Sequence, residues 1–118
     1  VSILTNAFAT NVNIKIPNSS ASNGVGGLIG IIEGGENAIV DSVYTSGYIE
    51  NHSDNTGGIV GKATGFLNNA YSTVDVVSHI DNIGGIAGYT NSASYVTNSF
   101  FAGNIYTYSS GDFVDRIV

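Results

Sequence analysis

The chain has 118 residues, 42% of them hydrophobic and 10% charged, with nine acidic residues against three basic ones for a net charge of −6. That length fits one domain or a piece of one, and the apolar fraction is enough to build a core. The acidic balance repels polyanions and argues against nucleic acid, the absence of Cys excludes disulfides and thiolate chemistry, and no run approaches the ~18 apolar residues of a membrane span.

Asn, Ser, Thr and Gly supply most of the polarity, and these residues favour turns and strand faces over helices. Short strands are therefore expected throughout. The first unit, roughly 2–24, carries LTNAFAT (4–10) and closes in IPNSSASNG (16–24), an expected outward loop holding the one Pro. The second, 25–55, opens on VGGLIG (25–30), passes a second expected loop EGGENA (33–38), and continues through VDSVYTS (40–46) and GYIE (47–50). The third, 56–82, runs from TGGIVG (56–61) to LNNAYST (67–73), and the fourth, 83–108, from IGGIAG (83–88) to VTNSFFA (96–102). A closing segment, 109–118, is expected to cap one end through DFVDRIV (112–118) or to lead into missing neighbours. The chain has no Met even at its first position, as expected of a segment cut from a longer or processed polypeptide.

Two motifs thus alternate. In the second, columns align as Leu4/Val40/Leu67/Val96, Asn6/Ser42/Asn69/Asn98 and Phe8/Tyr44/Tyr71/Phe100. A fixed period dictates architecture before any other signal. From the second glycine to the aromatic the spacing is 17 (Gly27 to Tyr44), 13 (Gly58 to Tyr71) and 15 (Gly85 to Phe100), so the excess falls in loops. Short β-rich runs at this period predict an all-β fold, a right-handed parallel β-helix of three to four coils of roughly 27–31 residues. An antiparallel β-sandwich is the alternative. In a coil pile the aromatics would stack as a ladder of rings and the Asn column as an amide ladder. Glycine pairs would serve corners through positive φ and close backbone approach. Strict alternation would bury Asn with Leu and the aromatic, so a corner near the Asn column is expected.

GGLIG, GGIVG and GGIAG, each followed by SVYTSG-, NAYST- or NSF-type segments, resemble the bacterial GLUG repeat over roughly residues 2–107, with Ile59 and Ile86 where Leu is usual. Such repeats occur in large secreted or surface-anchored bacterial proteins, including streptococcal immunoglobulin-A-specific zinc metalloproteases, outside the catalytic domain. The resemblance implies a repeat module with no chemistry of its own, in a secreted or cell-surface setting.

HSDNTGGIVG (52–61) and HIDNIGGIAG (79–88) repeat a His and an Asp 27 positions apart. One reading is a cation site formed by His52, His79, Asp54 and Asp81, such as for zinc. The other, preferred here, is a repeat-encoded corner whose Asp and Asn side chains cap turns. The same carboxylates could serve glycan cleavage, but the three basic residues make a polysaccharide-degrading β-helix the third choice. GIVGKAT (58–64) and GVGGLIG (24–30) miss the phosphate-loop and dinucleotide patterns, and neither HExxH nor GxSxG occurs. No cofactor is expected. Phe101 stands next to the ladder aromatic Phe100; if Phe100 points in, Phe101 points out, and Tyr48, Tyr106 and Tyr108 could join it in an exposed aromatic patch. Packing of Phe101 under the C-terminal segment with Phe113 is the equal alternative. The expected function is therefore a non-catalytic spacer and interaction surface. Its partners would be other domains of a larger parent protein and a host glycoprotein or glycan. The runner-up is an adhesin or carbohydrate-binding segment using loops 16–24 and 33–38.

Overall fold

The computed structural model describes residues 2–17, 23–108 and 114–115. Most of the first expected loop, 16–24, and most of the expected cap, 112–118, lie outside the described residues. The rest is all-β. Among the described residues twelve strands run in chain order: β1 (Ser2–Ile16), β2 (Val25–Gly26), β3 (Ile29–Asn51), β4 (Thr56–Gly57), β5 (Val60–Ser72) and β6 (Asp75–Ser78), then β7 (Ile83–Gly84), β8 (Ala87–Thr90), β9 (Tyr95–Thr97), β10 (Phe100–Phe101), β11 (Ile105–Thr107) and β12 (Val114–Asp115). Among the described residues no helix is long and apolar enough to cross a membrane.

Every described pairing is parallel. An antiparallel sandwich is thereby excluded. One sheet stacks β2, β4, β7 and β12, and the other curls around the remaining strands, giving a solenoid-like pile. Successive coils register as the repeat predicts: Phe8 pairs with Tyr44, Tyr44 with Tyr71, and Tyr71 with Phe100. In the other sheet Thr56 pairs with Ile83 and Gly57 with Gly84. The spacing differences also find their places. Between β3 and β5 the register skips Gly34 and then the three residues 36–38, inside the expected EGGENA bulge. Between β5 and the next coil, Ala63 pairs with Thr90 and Phe66 with Tyr95, so 91–94 bulges as an Asn91-anchored turn.

The core is built from columns. Val40, Leu67, Val43, Ala70, Ile59, Ile86, Val60 and Ala87 form one cluster with Phe101, while Ile49, Val74, Val76, Ile83 and Val25 form a second. Each inward residue lies over its counterpart one coil away, which is why like residues recur at one interval. A polar column runs beside them: Thr45 Oγ1 donates to the Gly58 carbonyl (2.8 Å) and lies 2.9 Å from Ser72 Oγ, which accepts from Val74 N–H (3.2 Å). Among the described residues no buried side-chain nitrogen or oxygen lacks a partner.

The corner at the Asn column is real and has a backbone cause. Asn6, Ser42, Asn69 and Asn98 all adopt left-handed φ, between 48° and 56°. Asn tolerates this region better than most residues because its short side chain bonds locally. The amide ladder is diagonal rather than vertical: Asn69 Nδ2 donates to Asp41 Oδ1 (2.9 Å), and Asn98 Nδ2 to Asn68 Oδ1 (3.0 Å). Asn69→Val, which forces a β-branched side chain into φ 51°, is expected to cost roughly 1–2 kcal/mol, whereas Asn69→Gly stays within about 0.5 kcal/mol. Urea midpoints of the two variants check this.

Asp41 accepts from Ser42, Asn69 and Asn68, and these hydrogen bonds, Ser42 foremost, hold its carboxyl below the ordinary value of 3.8. A lowered carboxyl stabilises the fold above the unfolded pKa and loses that contribution as pH falls through the folded one. Asp41→Asn is therefore expected to show a shallower fall in Tm than the parent below about pH 4.

The glycine pairs work differently from expectation. Among the described residues the positive-φ glycines are Gly34, Gly35 and Gly47, none of them in VGGLIG, TGGIVG or IGGIAG. Left-handed turns before the second and third motifs fall instead to Asn55 (φ 59°) and Asn82 (φ 60°), joined by an Asn82-to-Asn55 side-chain hydrogen bond of 3.0 Å. The paired glycines are needed for close approach: a Cβ on Gly57 would run into the Val60 carbonyl oxygen, with Ile86 O and Gly88 N each 2.8 Å away.

Candidate functional site

The two histidines begin equivalent turns. His52 N–H donates to Ile16 O (3.2 Å), His79 N–H to Asn51 O (3.0 Å), and Tyr108 N–H to Ser78 O (3.0 Å), so the three residues occupy one rung position in successive coils. Buried Asn51 shapes the first turn: its Nδ2 donates to Ser53 O (2.7 Å) and Thr56 Oγ1 (2.8 Å), and its Oδ1 accepts from Ser53 N–H (2.9 Å). Ser78 does the same with a shorter side chain, through Ile80 O (2.9 Å) and Ile80 N–H (3.3 Å). With residues 51 and 78 turned inward, 52 and 79 face outward.

The rings then stack. His52 and His79 lie 3.7 Å apart at 12°, and Tyr108 covers the next position 4.9 Å from His79 at 15°. Glu50 stands beside them, two residues before His52 and so on the same strand face. Its Oε1 is 3.1 Å from His79 Nε2, the spacing of an N–H donating to a carboxylate, and 3.9 Å from His52 Nε2. The Tyr48 hydroxyl donates to the other oxygen, Oε2, at 3.1 Å. Hydrogen bonds from His79 first and Tyr48 second hold the Glu50 carboxyl below its ordinary value, while partial burial and then the Glu50 contact push the Tyr48 hydroxyl up.

Of the four residues singled out from the sequence, the structure brings together His52 and His79. The clustered donor set is Glu50, His52 and His79, with all three ligand atoms within 4.8 Å of one another; Asp54 and Asp81 do not belong to it. Those aspartates lie two residues past each histidine, at the turns leading to Asn55 and Asn82. Repeat comparison overlooks Glu50 because its partners in neighbouring coils are Lys15 and Val77. Strand alternation through Glu50 and His52 was the signal available.

The aromatic expectations divide. Tyr44, Tyr71 and Phe100 do stack, with centroids 5.1 and 5.4 Å apart, but on the outside: Phe100 is 60% exposed. Phe101 is 7% exposed and belongs to the core, which favours the packed alternative over the exposed one, although Phe113, its expected neighbour there, lies outside the described residues. It occupies the inward column of Ala9, Thr45 and Ser72. Tyr106 and Tyr108 are exposed, and Tyr48 is half-buried under Lys15, whose Nζ sits 5.9 Å from the ring. Comparison with family models, curated proteins and solved structures finds no match.

Proposed function

We propose that this chain is a right-handed parallel β-helix of the GLUG-repeat type, acting as a non-catalytic spacer and interaction module of a secreted or cell-surface bacterial protein. An immunoglobulin-A-specific metalloprotease is one parent of that kind. The observation that supports the reading is the in-register pairing of Phe8, Tyr44, Tyr71 and Phe100 through successive coils. A pile of equivalent rungs gains length by adding repeats, which suits a module that holds other domains apart and displays its outer faces. The right hand follows from the strong preference of parallel crossovers.

Contact with a host glycoprotein or glycan is assigned to the face bearing Tyr48, Tyr106 and Tyr108, since tyrosine rings with exposed edges are favoured at recognition surfaces. Exposure of Tyr106 and Tyr108 supports that face, and an adhesin or carbohydrate-binding segment that makes its contacts through loops 16–24 and 33–38 is the runner-up. A glycan array and a pull-down against host glycoproteins test the choice. Binding abolished by Tyr106→Ala and Tyr108→Ala supports the tyrosine interaction face, binding that survives both points to the adhesin reading, and no binding leaves a spacer. Release of reducing ends from pectin, chitin or peptidoglycan would overturn the non-catalytic reading.

A further inference from the structure

We infer that Glu50, His52 and His79 form a binding site for one borderline transition-metal dication of the zinc class. This goes beyond the spacer reading and does not depend on it. The donors are two imidazole nitrogens and a carboxylate oxygen, the set that suits zinc, whereas calcium and magnesium take oxygen ligands. Their placement comes from different coils: Glu50 and His52 from one, His79 from the next, so only the stacked fold assembles the trio.

The distances are close to what one ion needs. Donors of a tetrahedral zinc with ~2.0–2.1 Å bonds sit about 3.3 Å apart. Glu50 Oε1 and His79 Nε2 are already at 3.1 Å, Oε1 and His52 Nε2 at 3.9 Å, and no pair exceeds 4.8 Å. The imidazoles are stacked nearly parallel, so sharing an ion requires the rings to turn about their Cβ–Cγ bonds and converge. Side-chain exposures of 34% for His52 and 27% for His79 leave room for that rotation and for an ion to enter. Tyr48 already holds the second carboxylate oxygen, which leaves Oε1 aimed at both rings, as outer-shell partners do in metal sites. Water would complete the coordination.

The test is a titration of the full chain with zinc chloride at neutral pH, followed by calorimetry and by the imidazole nitrogen resonances. The expected result is saturable binding of one ion per chain, shifts at both His52 and His79, and a Tm raised by roughly 5–10 °C at a hundredfold excess over Kd. Calcium at the same concentration is expected to move none of these. His52→Ala and Glu50→Gln should each weaken binding at least tenfold. Absence of saturable binding up to about 1 mM zinc, or unchanged affinity in His52→Ala, overturns the assignment. The resonances of the parent protein decide the matter even if a variant folds poorly: binding that leaves either imidazole unshifted also overturns it.

Discussion

Replacing Gly57 by Ala is expected to cost roughly 3 kcal/mol or more, a large fraction of the ~5–15 kcal/mol that ordinarily holds a domain folded. The reason is steric and local. A methyl at this position would meet the Val60 carbonyl oxygen, the Ile86 carbonyl oxygen and the Gly88 amide, all of them backbone. Backbone in a hydrogen-bonded stack cannot step aside as a flexible side chain can. Gly57 also pairs with Gly26 below and Gly84 above, so displacement would be passed to both neighbouring coils. Gly30→Ala is the control, because its new methyl meets only the Gly24 carbonyl oxygen, at 3.2 Å. It is expected to change stability by less than about 1 kcal/mol. Urea denaturation followed by circular dichroism checks both, and equal losses in the two variants would contradict the close-approach explanation.

Truncating Phe101 to Ala is expected to cost about 3–5 kcal/mol, whereas the same change at its neighbour Phe100 costs about 1 kcal/mol or less. Phe101 is a buried member of the main hydrophobic cluster, so its removal opens a ring-sized cavity there. Phe100 lies 60% exposed with one face on Tyr71 at 5.4 Å, so its loss gives up a single ring contact. Denaturant midpoints of the two variants, with the dependence on urea held constant, measure the difference. A larger loss at Phe100 would mean that the strand faces the other way.

The Phe100/Phe101 pair shows where reading by alternation stops. Along 40–45, Val40 faces in, Ser42 turns left-handed, and then Val43 and Thr45 face in with Tyr44 out. One left-handed residue shifts the period-two pattern by one position, so residues before and after it follow different parities. The Asn column advertised a corner, but nothing in the residue types says how a corner redirects the side chains that follow. Glu50 was missed for a related reason. It occurs once, opposite Lys15 and Val77, and a search for recurrence passes over a residue that does not recur.

The amino-acid sequence by itself determined the period, the pairing of Phe8, Tyr44, Tyr71 and Phe100, and the positions of the 33–38 bulge, because in-register stacking forces equivalent places to carry similar residues. Only the tertiary structure decided which of Phe100 and Phe101 is buried and which carboxylate stands beside the histidines. Those outcomes depend on backbone angles at the corners and on distances between coils, and the order of residues along one coil encodes neither.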